Sequence, residues 1–302
     1  MPFDHPGAPR ARDAMTRGTG APKADRSESV FTYLNPEVRQ RLVAAGKLVR
    51  IDSQGRPISI DERPPEGEIA INVLGPIPLP IDLRGVRTTV QWYASVRSTE
   101  LSKVEALARD LRARGGQALF AALASSMAVN SCLVTGDIRR AENPLVRVHS
   151  SCLTGDVFGS QRCECGPQLA ASLARIDADP AGGMVIYMAG HEGRGIGLWA
   201  KAATYLLQDS GEDTYEANRS LGLPDDSRDF SDAAALLHHF VGDRPFRLLT
   251  NNPKKIADLS QFGLGHVTAV KHVAGVSSWN RRYLAAKRDW GHGFSDQDFD
   301  EA

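Results

Sequence analysis

Three of the chain's four cysteines fall within fourteen consecutive positions, Cys152 to Cys165, and close on the tight sequence Cys163-Glu164-Cys165. An alternating apolar segment, Leu145-Val146-Arg147-Val148-His149, leads into this stretch, and a helical pattern from Pro167 to Asp177 leaves it. Three thiolates converging on one point make a soft, strongly anionic site suited to zinc. A structural zinc takes four protein ligands, whereas a catalytic zinc keeps one position open for water. No His or Cys stands at the usual spacing for a fourth ligand, so the pattern points to the catalytic kind. Cys-Glu-Cys also lacks the two-residue spacing of redox pairs. Cys132, in the apolar run Cys132-Leu133-Val134, reads as a core residue.

A chain of 302 residues holds one large domain or two small ones. With 42% hydrophobic and 24% charged residues, it has the composition of a globular protein. Lys plus Arg equals Asp plus Glu, at 36 each, so no overall field draws the chain to nucleic acid or to a membrane. An anionic ligand must therefore be met by local basic groups. No apolar run approaches a membrane span, and no signal-peptide segment is visible. Four cysteines in this length are no disulfide scaffold, which predicts a reducing cytoplasm.

Residues 1–29 are rich in Gly, Pro, Ala, Arg and Asp and read as a flexible tail, because such a composition buries too little surface to offset ordering entropy. Residues 30–68 read as a small N-terminal extension: a helix starting at Pro36 and ending at Gly46, then a hairpin of Leu48–Ile51 with Pro57–Ile60. Residues 69–302 form the main domain. It carries a strand over Val86–Val96 and a helix capped by Thr99 with Leu101, Val104, Leu107 and Leu111 on one face. An Ala-rich helix follows over Gln117–Met127, and then a strand over Ser131–Ile138. Strands and helices alternate after Leu145, which predicts an α/β fold, a mixed sheet flanked by helices.

Three further stretches carry chemistry. Gly190-His191-Glu192-Gly193-Arg194-Gly195-Ile196-Gly197 leaves an apolar strand and enters a helix, where backbone N–H groups and the helix dipole receive anions. Its glycines permit close approach, and Arg194 offers a forked donor. In Leu248-Leu249-Thr250-Asn251-Asn252-Pro253-Lys254-Lys255, Thr250 and Lys255 could hold a phosphate or a base edge, or the turn could simply be solvated. Asp226 and Arg228 precede a helix and suit a proton acceptor and a phosphoryl-facing cation, but taken alone the stretch reads as helix capping, with Ser227 or Asp229 as N-cap and Asp226 complementing the dipole. With the cysteine stretch these make four, and three of the four sit at the downstream ends of strands, where ligands bind in α/β sheets. Together they suggest metal-assisted hydrolysis of a phosphorylated compound.

The ordered motifs Arg147-Val148-His149-Ser150-Ser151-Cys152-Leu153-Thr154-Gly155-Asp156, Cys163-Glu164-Cys165-Gly166-Pro167-Gln168, Glu192 to Leu198, Asp213 to Asn218 and Leu248 to Lys255 resemble GTP cyclohydrolase II. The resemblance runs from Val134 to Val270, with an echo in Asn280–His292. It implies a homodimeric enzyme that opens the imidazole ring of GTP, releasing formate and pyrophosphate, at the entry to riboflavin synthesis. It implies one zinc per subunit on Cys152, Cys163 and Cys165, which makes a water acidic enough to attack the ring, and magnesium at the substrate phosphates. By position, Arg228 matches the residue that attacks the α-phosphorus, Asp226 the proton acceptor, and Tyr205 the tyrosine near the ring. Arg147, Val148, His149, Ser150, Ser151, Gln168, Glu192, Gly193, Arg194, Thr214, Thr250 and Lys255 match nucleotide-binding positions. Electrostatic stabilisation is the rival role for Arg228, since a guanidinium stays protonated. Three departures bear on the choice of base. Ser151 stands where the family usually has Glu, His191 where it has Gln, and the segment from Tyr187 to Glu192 is one residue longer. Two other readings follow from these departures and from the fold: a relative that opens a uracil nucleotide, and a nucleotide-binding regulator without turnover.

Overall fold

The computed structural model describes residues 36–61, 64–114 and 127–299. The tail read over residues 1–29 and nearly all of the Ala-rich helix read over Gln117–Met127 lie outside them. The strands are β1 (Leu48–Asp52), β2 (Pro57–Ile58), β3 (Ala70–Leu83), β4 (Val86–Arg97), β5 (Asn130–Thr135), β6 (Leu145–Ser150), β7 (Gly183–Met188), β8 (Phe246–Leu249) and β9 (Val267–Val270). The helices are α1 (Pro36–Ala44), α2 (Ser98–Arg114), α3 (Cys165–Asp177), α4 (Gly197–Asp209), α5 (Glu216–Ser220), α6 (Ser231–Phe240), α7 (Pro253–Gln261) and α8 (Arg281–Asp289). Among the described residues the strands make one mixed sheet in the order β2-β1-β3-β4-β5-β7-β6-β8-β9. Pairings from β2 to β7 are antiparallel; β7, β6, β8 and β9 run parallel.

Successive side chains of a strand point to opposite faces, and each face here has its own cover. On β6, Val146 and Val148 join Met184, Ile186 and Leu248 beneath α6, whose Leu236, Leu237 and Phe240 are buried with them. Leu145 joins Val185 and Leu249 beneath Leu169 and Leu173 of α3. Burial on both faces explains the near-continuous apolar run Met184-Val185-Ile186 of β7. α6 is buried almost all round, and its Ala233-Ala234-Ala235 run lets the backbone approach the sheet closely. Each large side chain enclosed this way contributes about 1.5–3 kcal/mol of transfer free energy.

β3 was hidden by its prolines, Pro76, Pro78 and Pro80, which argue against a central strand. Only its first half, to Leu74, lies between β1 and β4; the rest pairs with β4 alone. Pro78 and Pro80 face Gln91 and Thr89, and residues of one parity turn their N–H groups to one side. Among the described residues that side has no ladder partner, so the missing donors cost no hydrogen bond. The tip of the β3–β4 hairpin carries Arg84, in the left-handed region at φ 51°. Its Nη2 donates to the carbonyl of Gly155 at 3.0 Å, under the cysteine loop.

Because β6, β7 and β8 are parallel neighbours, their carboxyl ends lie on one edge of the sheet. The cysteine loop leaves β6 there, the glycine turn leaves β7, and the Asn251-Asn252-Pro253 turn leaves β8. Three stretches far apart in the chain are thus brought to one place by sheet topology.

Candidate active site

The chain leaves β6 at Ser150 and makes a wide helical turn, Leu153–Val157, before α3. Asp156 folds this turn back on itself. Its N–H donates to the carbonyl of Cys152 at 2.7 Å, and its carboxylate accepts from Cys152 N at 3.0 Å and from the Tyr187 hydroxyl at 3.0 Å. His149 Nε2 donates to the same carboxylate at 3.2 Å; burial holds this imidazole below its ordinary pKa. Gly155 lies directly against the thiols: a Cβ there would stand 2.8 Å from Cys163 Sγ and 3.1 Å from Cys152 Sγ. No other residue type leaves room for the sulfurs to meet.

The sulfurs of Cys152, Cys163 and Cys165 lie within 4.8 Å of one another and could hold a metal ion. Among the described residues this is the single such convergence of His, Cys, Asp or Glu ligands. Cys132 stays apart in β5, fully enclosed in the core, where burial pushes its thiol up. Hydrogen bonds from Cys163 and Cys165, with the charge of Lys201, pull the Cys152 thiol far down. The same coupling to Cys152 pushes Cys163 up to about 12 and Cys165 well above its ordinary value. One thiolate is therefore easy to form and three are not, and a divalent cation removes that penalty.

Lys201, on α4, was not singled out from the sequence. Its Nζ donates to Cys152 Sγ at 3.1 Å and to Glu192 Oε1 at 2.6 Å. Burial, which disfavours the ammonium, is outweighed by Glu192 and Cys152, so Lys201 stays charged. Glu192 Oε2 accepts from Leu153 N at 2.7 Å, so one carboxylate ties the glycine turn to the cysteine loop. A signal was present: Lys201 stands four residues before Tyr205, on the same helical face. The Tyr205 hydroxyl lies 3.1 Å from Thr154 Oγ1, and the Arg162 guanidinium covers its ring at 4.4 Å.

Asp229 takes the capping part, its carboxylate accepting from Ser231 N at 2.9 Å at the start of α6, whereas Asp226 pairs with Arg228. Arg228 forks onto Asp226 through Nε at 2.9 Å and Nη2 at 2.7 Å. Burial is outweighed by this pairing on both sides: Asp226 is held below and Arg228 above its ordinary value. Arg228 Nη1 also donates to Ser150 Oγ at 3.2 Å. Ser150 Oγ is 3.3 Å from His191 Nδ1, and His191 Nε2 donates to the Asp229 carbonyl at 2.9 Å. Buried His191, brought down to about 4 by its burial, is neutral and holds Ser150 and, through it, Arg228. The expectation that His191 bears on the base thus meets a ring already engaged by Ser150, Asp229 and the edge of Phe230.

The other candidates surround a cleft of about 530 Å³, with one exception. Val148 buries its side chain in the core, and only its carbonyl takes part, accepting from Lys255 Nζ at 2.7 Å. Burial, then the charges of Arg147, Arg228 and Lys287, hold Lys255 well below its ordinary value. Arg147 donates to the Leu249 carbonyl at 2.8 Å and to Gln168 Oε1 at 2.7 Å; burial brings it down to about 10. Ser151 Oγ donates to the Ala189 carbonyl at 2.9 Å, and Thr250 Oγ1 accepts from Asn252 N at 3.0 Å. Thr214 and Gly193 line the cleft. Arg194 stands apart, since its two terminal nitrogens are buried without a hydrogen-bond partner. Tyr283, Lys287, Trp290 and His292 also line the cleft and were marked in the sequence only by a faint echo.

Buried neutral histidines give the fold a specific acid sensitivity. Burial first, then Arg147, brings His272 down to about 4; its Nε2 donates to the Gln168 carbonyl at 3.0 Å. An unfolded histidine titrates near 6.5, so below that pH the unfolded chain binds the extra proton and the folded one does not. Stability is therefore full above about pH 6.5 and falls as pH drops toward about 4. Urea unfolding at pH 7 and pH 5 should show this loss, and His272→Gln should shrink the difference by about 1–2 kcal/mol. An unchanged difference would assign the acid sensitivity to other groups.

Among the described residues no helix is long and apolar enough to cross a membrane. The chain is 53% identical over 173 residues to the riboflavin biosynthesis protein RibBA of Nocardia farcinica, covering 56% of this chain and 41% of that protein. It is 52% identical over 176 residues to RibBA of Mycolicibacterium gilvum, with the same coverage. It is also 51% identical over 157 residues to a probable bifunctional riboflavin biosynthesis protein RIBA 2, chloroplastic, of Oryza sativa, covering 52% of this chain and 28% of that protein. The match thus spans well under half the length of these relatives. They lend no support to the uracil-nucleotide or regulator readings. The family model for GTP cyclohydrolase II matches residues 109–271, more than half of the sequence and all three loops of the cleft, so the chain belongs to the GTP cyclohydrolase II family.

Proposed function

We propose that the chain hydrolytically opens the imidazole ring of GTP and releases formate and pyrophosphate, the GTP cyclohydrolase II step of riboflavin synthesis. The observation that carries this reading is one cleft bordered by three convergent thiols, the Arg228–Asp226 pair and Arg194, whose two terminal nitrogens have no hydrogen-bond partner. Cys152, Cys163 and Cys165 would hold zinc, and their softness and shared charge fit it. Zinc there supplies a Lewis acid that makes water acidic enough to act as a nucleophile near neutral pH.

The chain's own residues do the rest. Tyr205, held by Thr154 and Arg162 beside the thiols, borders the ring being opened. Arg194 presents two free donors to substrate anion, and Arg228 faces the phosphoryl group with Asp226 fixing its plane. Magnesium would accompany the phosphates as substrate chemistry requires. Lys201 keeps Glu192 and Cys152 in register. Arg147, Gln168 and Lys255 form the buried polar floor that fixes the ends of β6 and β8.

Formate and pyrophosphate released from GTP by the zinc-loaded protein, with uracil nucleotides left intact, are the expected result; no formate from GTP would sink the reading. A cytoplasmic setting is proposed from four free cysteines and is testable by cell fractionation. A homodimer is proposed from the family resemblance. It is supported by apolar side chains left open on α4 and the cysteine loop: Trp199 is 91% exposed, Leu206 70% and Phe158 71%. Sedimentation at the monomer mass would refute it. Residues 69–302 are proposed as the catalytic unit, with β1 and β2 an addition to its sheet edge.

A further inference from the structure

The C-terminal segment beyond the family-matched residues borders the cleft and touches the cysteine loop, the Tyr215 segment before α5 and the turn after β8. Lys287 on α8 forms a buried ion pair with Glu164, which stands between two of the cysteines. Trp290 stacks on Tyr215, with ring centroids 4.2 Å apart and planes 21° from parallel. Gly293 N donates to the carbonyl of Asn251 at 2.7 Å, on the turn after β8.

The middle tether has a consequence for Arg194. Its guanidinium lies 4.0 Å from the centre of the Tyr215 ring. Trp290 already occupies one face of that ring at stacking distance, so the cation takes the other. Arg219 covers Trp290 in turn, at 4.9 Å. Arg194, Tyr215, Trp290 and Arg219 thus form one column, two stacked aromatic rings with a guanidinium at each end, each cation meeting the negative face of a ring. Arg194 needs such a support. No hydrogen bond fixes its two terminal nitrogens, and its backbone sits in the left-handed region at φ 62°, held by Ser227 N donating to its carbonyl at 3.0 Å.

We propose that Trp290 is a positioning residue for substrate binding: by backing Tyr215 it holds the Arg194 guanidinium flat, with both free donors turned to the anionic part of the nucleotide. The inference rests on the nucleotide reading above. It adds a residue outside the family-matched stretch, acting through two others rather than touching substrate.

A double-mutant cycle tests it, with the zinc-loaded full chain and an α,β-methylene 7-deaza analogue of GTP, whose ring and phosphates both resist turnover. Trp290→Ala should weaken analogue binding by about 10-fold with zinc content unchanged, and Trp290→Phe should restore most of it. In an Arg194→Ala background, Trp290→Ala should cost nothing more. With GTP as substrate the loss should fall on KM rather than kcat. Binding at the wild-type level in Trp290→Ala overturns the proposal, as does an equal loss with and without Arg194, the mark of a merely structural role. Wild-type protein that binds no analogue at all would instead bring down the nucleotide reading, and this proposal with it.

Discussion

Replacing Cys163 by serine is expected to remove bound zinc and ring opening together. Serine keeps the size of the side chain but offers a hydroxyl, a far weaker ligand for a soft cation than a thiolate. The Cys163 sulfur also lies 3.6 Å from that of Cys152, so its loss leaves two thiols where three converge. Metal content measured on the purified variant should fall from about one zinc per chain to near none, and formate release should drop by at least about 10³-fold. The fold should survive, because the turn is held by Asp156 through Cys152 N, Tyr187 and His149 rather than by Cys163. A variant that still releases formate without bound metal would refute the proposed mechanism.

Arg228→Ala is expected to slow pyrophosphate release by about 10²–10³-fold while leaving zinc content intact. The structure favours the electrostatic role for this residue over the nucleophilic one. Asp226 holds the guanidinium above its ordinary pKa despite burial, and a nucleophilic nitrogen would first have to lose that proton. The fork onto Asp226 and the bond to Ser150 Oγ occupy three of its nitrogens and fix its plane, which suits charge stabilisation at a set position. Arg228→Lys should therefore recover part of the lost rate, since a cation remains without the fork. Complete loss of pyrophosphate release in both variants would support the covalent role instead.

How much of the site could be read in advance follows from how local each part is. Cys152, Cys163 and Cys165 lie close in the chain, so a cluster able to hold a metal could be read before any fold is known. The glycine turn and the Asn251-Asn252-Pro253 turn were visible as strand ends, since the apolar runs before them and the helices after them have distinct periods. Arg228 and Asp226 were ambiguous for a physical reason. A carboxylate ahead of a helix looks the same whether it caps N–H groups or takes a guanidinium, and only the fold brings Ser150 near enough to decide.

The sequence by itself determined the family, the clustering of three cysteines, the alternation of strands and helices, and Cys132 as a core residue. Tertiary structure decided what depends on contacts between distant segments. It made Pro78 and Pro80 harmless by placing their half of β3 at an edge. It brought Lys201 between Cys152 and Glu192, turned His191 toward Ser150 and Asp229, and laid Trp290 on Tyr215. None of these pairings has a local signature, because a buried side chain's partners are set by which strands lie side by side, and parallel β6, β7 and β8 gather their loops from across the chain.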